Sequence, residues 1–162
     1  MKIGVYPGTF DPVTYGHTDI IARSLRVFDK VIVAVAPNPT KRPLFDLAER
    51  VEMVKLVTKG LPHVEVVTFK GLLVEYVHQR KAQAVIRGLR AISDFEYEFQ
   101  MALMNRKLNK SVETVFLMPS EEYSYLTSTI IKEVARFGGR LTDFLHPQVA
   151  QRLLRRLGTR AT

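Results

Sequence analysis

Three short stretches of this 162-residue chain gather the residue types that bind and move anionic groups. The first is Pro7-Gly8-Thr9-Phe10-Asp11-Pro12-Val13-Thr14-Tyr15-Gly16-His17. Its glycines let backbone amides approach a ligand closely, and a helix opening there would turn unpaired N–H groups and positive potential toward a phosphate. His17 adds a side-chain donor at the same point. The second stretch is Arg87-Gly88-Leu89-Arg90, two cations spaced around a glycine at the end of an apolar run. An arginine ending such a run is costly to bury unpaired, so the pair reads as convergent binding of anionic oxygens. The third is a hydroxyl-rich turn, Tyr123-Ser124-Tyr125-Leu126-Thr127-Ser128-Thr129. A fourth feature, Lys41-Arg42 in a proline-rich loop, could neutralise one more anion.

Each feature has an ordinary structural reading as well. Thr14 could be a helix N-cap and no more, the turn at Thr127 a second cap, and Lys41-Arg42 a solvated pair. A carboxylate at Glu98, near the start of a helix, is favoured by the dipole without any ligand. His63, His78 and His146 read as surface residues. It is the order and company of the four features that favour the chemical reading.

The elements needed to position them are visible as apolar β-branched runs alternating with helical periodicity. Strands are expected at 2–6, 31–36, 64–69, 84–87 and 114–118, short and mostly apolar, as in a sheet covered on both faces. A helix is expected over 17–28, with Ile20, Ile21, Ser24, Leu25 and Phe28 on one stripe. Another starts after Asp46, with Glu49 completing a capping box and Gly60 then Pro62 stopping it. Further helices are expected at 72–81, at 94–109 with Phe95, Phe99, Ala102 and Met104 facing inward, from Ser128, and at 147–157 between Pro147 and Gly158. The fold expected is a single α/β domain over 1–162, a Rossmann-like doubly wound five-stranded parallel sheet with helices on both faces. Such sheets bind ligands beyond the carboxyl ends of their strands, where the four features fall.

Composition narrows the field. With 46% hydrophobic and 25% charged residues the chain is neither disordered nor fibrous. The absence of cysteine removes disulfides, thiolate metal sites and cysteine nucleophiles. The first residues are too short an apolar run for a signal core or a membrane span, so a cytoplasmic location is expected. The net charge is +8. Residues 132–162 carry 7 Lys/Arg against 2 Asp/Glu, so most of the excess is C-terminal. Arg152, Arg155 and Arg156, with Arg160 beyond, raise the alternative of a nucleic-acid-binding module. The sheet loops lack the clustered aromatics of an RNA platform and Trp is absent, which makes nucleic acid the poorer reading.

Thr14-Tyr15-Gly16-His17 resembles the His-x-Gly-His signature of the nucleotidylyltransferase superfamily, and Thr127-Ser128-Thr129-Ile130-Ile131-Lys132-Glu133 resembles its second signature. Within the superfamily, Tyr6-Pro7-Gly8-Thr9-Phe10-Asp11-Pro12, Thr14 in place of the first His, and Arg87-Gly88-Leu89-Arg90 are similar to the phosphopantetheine adenylyltransferases over residues 1–155. Relatives acting on nicotinamide mononucleotide, or on sugar or polyol phosphates with CTP, usually keep the first His.

The resemblance implies transfer of adenylate from ATP to 4′-phosphopantetheine, giving dephospho-coenzyme A, with Mg²⁺ bridging the ATP phosphates. It implies His17 as transition-state stabiliser, with Lys41 and Arg90 also catalytic. ATP would be bound by Thr9, Phe10, His17, Gly88, Leu89, Arg90, Glu98, Tyr123, Ser124, Tyr125, Leu126, Thr127, Ser128 and Thr129. The acceptor would be bound by Thr9, Lys41, Leu73 and Arg87. Tyr123 and Leu73 stand where some members carry other residues. A homohexamer and feedback inhibition by coenzyme A are further implications. An acceptor that is already an anion needs no general base, which agrees with a sequence offering no Ser-His-Asp set and no paired catalytic carboxylates.

Overall fold

Valine, isoleucine and alanine fill the strands, and their alternation divides the interior into two cores. In the computed structural model, which describes residues 1–90 and 92–159, Val31, Val33 and Val35 face one core while Ile32 and Ala34 face the other. The strands are β1 (Ile3–Gly8), β2 (Lys30–Val35), β3 (Val64–Thr68), β4 (Ala84–Gly88) and β5 (Glu113–Leu117). All pair in parallel in the order β3-β2-β1-β4-β5. The helices are α1 (Tyr15–Ser24), α2 (Leu47–Thr58), α3 (Leu73–Gln79), α4 (Ile92–Leu108), α5 (Ser128–Arg136) and α6 (Pro147–Leu157). Residues from α1, α2, α5 and α6 join the larger core; Val74 and Val77 of α3 join the smaller one on the opposite face.

The doubly wound sheet expected from the sequence is therefore present. From β1 the chain turns to β2 on one side, and from β4 to β5 on the other, so the loops after β1 and β4 diverge and leave a crevice between them. β1 runs two residues further than the sequence suggested, because Pro7 and Gly8 stay in register with Ala34 and Val35. α1 is shorter, beginning after the Thr14 cap and ending at Ser24, whose hydroxyl donates to the Ile20 carbonyl. The Asp46 capping box of α2 is formed in both directions, Glu49 N to Asp46 at 2.8 Å and Asp46 N to Glu49 at 2.9 Å. α6 starts at Pro147 and ends on Gly158 in the left-handed conformation, φ 68°. His146, read as a surface residue, caps it through Nδ1.

α4 departs from expectation. Phe95, Phe99 and Met104 do not face inward; they are 49%, 47% and 56% exposed, and the two phenylalanines stack on each other. The inward stripe is instead Glu98, Ala102 and Asn105, spaced i, i+4, i+7, with Glu98 and Asn105 both buried. Apolar residues at 95, 97, 99, 101, 103, 104 and 108 surround the helix and define no single face, so periodicity of the apolar set misplaced it. Arg160, which belongs to the basic C-terminal stretch above, lies outside the described residues.

Candidate active site

The crevice between β1 and β4 holds a cavity of about 710 Å³. That is an ordinary size for a small-molecule site. From the expected set it brings together Thr9, Phe10, His17, Lys41, Leu73, Arg87, Gly88, Arg90, Glu98, Tyr123, Leu126, Thr127, Ser128 and Thr129. Leu89, Ser124 and Tyr125 lie outside its lining; Leu89 N bonds Leu117 O, Ser124 Oγ donates to Glu121 O, and the Tyr125 side chain is exposed. Tyr6, Asp11, Asn38, Tyr97 and Lys132 also line it; the sequence assigned none of them a role, although Tyr6, Asp11 and Lys132 stand inside the quoted motifs.

His17 is placed by a chain of small requirements. Gly8 has no Cβ, and one built there would sit 2.7 Å from the Phe10 ring. The Phe10 ring therefore tucks against the end of β1, edge-on to Tyr6, and supports the His17 ring at 5.0 Å between centroids. Thr14 caps α1, and its backbone N–H donates to His17 Nδ1 at 3.0 Å. An Nδ1 that accepts a hydrogen bond carries no proton, so the neutral ring carries its proton on Nε2. Burial, reinforced by the nearby Arg90 and Arg87 charges, lowers the His17 pKa to about 3. The imidazole is thus a neutral N–H donor at physiological pH. Burial likewise pushes the Tyr6 hydroxyl up to about 12 against the opposing pull of Arg87 and Arg90.

The lining is cationic in balance because its carboxylates are already engaged. Glu98 binds Arg87 through two parallel bonds, and Arg87 also donates to Pro7 O at 3.3 Å. Asp11, 5% exposed, accepts from Leu44 N and Phe45 N at 2.9 Å each and from Lys132 Nζ at 2.9 Å. Burial pushes the Asp11 carboxyl up, but the Lys132 hydrogen bond and the two backbone donors outweigh it and hold the pKa below the usual range. Thr127 is the N-cap of α5, accepting from Ile130 N, and Ser128 Oγ donates to Pro12 O at 2.8 Å. The structural and chemical readings of that turn coincide: the cap places the α5 N-terminus against the first loop.

The approach of this last segment is fixed from α1 itself. Asp19, two residues beyond His17, accepts from Ser120 N at 2.7 Å and from Ser120 Oγ at 3.0 Å, while Arg23 bonds both Asp19 and Ser120.

A family model described as cytidylyltransferase-like matches residues 5–134. The phosphopantetheine adenylyltransferase of Caldanaerobacter subterraneus subsp. tengcongensis is 60% identical over 154 residues, covering 95% of this chain and 96% of that protein. This chain belongs to the phosphopantetheine adenylyltransferase family. Its fold is shared more widely. A putative nicotinate-nucleotide adenylyltransferase from Vibrio parahaemolyticus superimposes with a TM-score of 0.75 at 20% identity, over 99% of both chains. A lipopolysaccharide core biosynthesis protein from Thermoplasma volcanium gives 0.58 at 23% identity, over 75% of this chain and 99% of its own.

In this adenylyltransferase the C-terminal arginines hold α6 to the domain. Arg152 pairs with Glu52 at 3.1 Å, and Arg156 pairs with Glu49 and donates to Leu44 O at 2.9 Å. Val149 and Leu153 are fully buried beneath them. A helix so anchored spends two of its three cations internally, which weakens the nucleic-acid alternative. Among the described residues, no helix is long and apolar enough to cross a membrane.

Proposed function

We propose that this chain transfers the adenylyl group of ATP to the phosphate of 4′-phosphopantetheine, releasing pyrophosphate and forming dephospho-coenzyme A. The observation that carries the reading is the 60% identity to a phosphopantetheine adenylyltransferase along nearly the whole length of both chains. The cavity supplies a mechanism. An acceptor phosphate oxygen attacks the α-phosphorus of ATP, the bond to the β-phosphate oxygen breaks, and the electron pair leaves with pyrophosphate. No proton has to be removed from the acceptor. Catalysis is then placement of two mutually repelling anions and donation toward charge that grows on the α-phosphate oxygens.

His17 is the donor, through Nε2–H. Arg87, Lys41 and Thr9 take the acceptor phosphate, and Leu73 lies along the acceptor's arm. Arg90, Gly88, the amides of Thr127, Ser128 and Thr129 and the hydroxyls of Thr127 and Thr129 take the nucleotide phosphates, the Ser128 hydroxyl being held by Pro12 O. What supports this division is that Thr9, Lys41 and Leu73 follow β1, follow β2 and open α3, with Arg87 reaching in from the end of β4, while the Thr127 turn closes the cavity from α5. Glu98 is given a positioning role through Arg87, in place of a direct nucleotide contact.

Magnesium is part of the proposal as an ion carried on the nucleotide. Both carboxylates in the lining, Asp11 and Glu98, are taken by cations of the protein. Among the described residues no cluster of three His, Cys, Asp or Glu is assembled. This donor set does not fit a protein-built Mg²⁺ cage. A homo-oligomer, a hexamer by family resemblance, is supported by the exposed Phe95, Phe99, Met101 and Leu103 of α4. Cytoplasmic location and coenzyme A as a feedback ligand of the same cavity complete the proposal.

The test is to incubate the protein with ATP, Mg²⁺ and 4′-phosphopantetheine, and in parallel with nicotinamide mononucleotide as acceptor. Pyrophosphate and dephospho-coenzyme A in the first reaction alone is the expected result. Product only in the second would overturn the acceptor.

A further inference from the structure

The segments bearing Thr9 and Lys41 extend beyond the sheet, since β1 and β2 stop pairing at Gly8 and Val35. Past that point Ala36 N still donates to Gly8 O at 2.8 Å and Asp11 accepts from Leu44 N and Phe45 N, and a buried arginine of α2 bonds both loops at once. Arg50 is 2% exposed. Its Nη1 donates to Thr9 O and to Ala36 O at 2.7 Å each, its Nη2 to Pro37 O at 3.0 Å, and its Nε to Phe45 O at 3.1 Å. All four acceptors are backbone carbonyls, drawn from the loop after β1 and from both ends of the loop after β2. A guanidinium is suited to this because its rigid planar fork donates in several fixed directions at once, which a lysine ammonium on a flexible stem cannot reproduce.

A side-chain tie between the same two loops lies at Thr9 itself: Asn38 Nδ2 donates to Thr9 Oγ1 at 2.8 Å. With its oxygen accepting from Asn38, the Thr9 hydroxyl has its own proton left to donate to an oxygen in the cavity. None of these bonds reaches the Arg90 loop or the Thr127 turn.

We propose that Arg50, assisted by Asn38, is a positioning residue that sets the separation of the loops carrying Thr9 and Lys41 and thereby forms the acceptor-phosphate subsite. The inference rests on the assignment of Thr9 and Lys41 to the acceptor. It makes the consequence selective toward the acceptor: loosening Arg50 displaces Lys41 and Thr9, and among the expected nucleotide contacts the Arg90 loop and the Thr127 turn stay where they are.

The test is steady-state kinetics on Arg50→Lys, Asn38→Ala, Lys41→Ala and the Arg50→Lys/Lys41→Ala double variant, with thermal melting of each. For Arg50→Lys the acceptor KM rises about 10- to 100-fold, the scale of a small misplacement of a binding group, while the ATP KM changes little. Asn38→Ala moves the acceptor KM in the same direction by less, and because it alters a surface loop it decides the matter if Arg50→Lys does not fold. The double variant is less impaired than the product of the single effects, since Arg50 acts through the placement of Lys41.

Equal rises in both KM values, an unchanged acceptor KM in a folded variant, or strictly multiplicative effects would overturn the role of Arg50 while leaving the assignment of Lys41 intact. An unchanged acceptor KM in Lys41→Ala would remove that assignment, and the inference with it.

Discussion

Glu98 on α4 and Arg87 at the end of β4 face each other as a bidentate pair, Nε to Oε2 at 2.7 Å and Nη2 to Oε1 at 2.5 Å. Glu98 is 8% exposed, and both of its carboxylate oxygens are taken by the arginine. A guanidinium gripped on one edge presents its remaining donors in a fixed direction. Glu98→Gln keeps the shape and removes the charge. It is expected to raise the acceptor KM about 10-fold, the scale of one charge-assisted hydrogen bond, with the ATP KM nearly unchanged. A rise in the ATP KM alone would make Glu98 a nucleotide ligand instead.

His17→Ala removes the Nε2–H donor. The expected fall in kcat is about 10² to 10³, typical for one transition-state donor, with KM values little altered. Turnover within a few-fold of the parent enzyme would sink the assignment.

The pH behaviour follows from the same ring. His17 has a folded pKa of about 3 against 6.5 unfolded, so between those values the unfolded chain binds a proton that the native chain refuses. Native stability is therefore undiminished by this group above 6.5 and is lost progressively as pH falls through the window toward 3. His17→Asn should flatten the fall of Tm with acidification in that window, and parallel melting profiles for the two proteins would contradict the burial of a neutral ring. In kinetics, the acid limb of kcat/KM for the acceptor should track the second ionisation of the acceptor phosphate, near about 6, and persist in His17→Asn.

Asp11 ties Lys132 of α5 to the backbone of Leu44 and Phe45. Removing one partner of a buried ion pair leaves the other uncompensated, and Asp11→Ala should cost about 3 kcal/mol of stability. Its folded pKa is below 3.8, so its contribution is present above that value and disappears as pH falls through the folded pKa. Denaturant titration at neutral pH checks the magnitude. A loss below about 1 kcal/mol would place the pair among exposed ones.

The sheet and the site loops were legible because their signals are local. Asp46 and Glu49 cap a helix three residues apart, Thr14 and His17 do the same for α1, and each strand declares itself in five or six consecutive residues. Arg50, Asn38, Asp19 and Arg23 were not legible. Arg50 acts on the carbonyls of residues 5, 13, 14 and 41 positions away, and a carbonyl has the same chemistry whatever its side chain. Asp19 meets Ser120 across 101 residues. α4 was misread for the opposite reason, since its apolar residues were plentiful but the site required a carboxylate on the inward side. The basic C-terminal helix raised a polyanion surface only as the poorer alternative, and its ion-pair partners Glu49 and Glu52 on α2 lie about 100 residues away, out of reach of local pattern.

His17 is proposed as a hydrogen-bond donor and not as a nucleophile, with Nδ1 occupied by Thr14 N–H and the proton on Nε2. The measurement that tests this most directly is the stereochemical course at the α-phosphorus, using ATP chiral there by sulfur substitution and 4′-phosphopantetheine as acceptor. A single in-line displacement inverts configuration, and inversion is the predicted result. Retention would mean that the adenylyl group passes through a covalent intermediate on the protein, with His17 its foremost carrier, and direct transfer between the two phosphates would be ruled out.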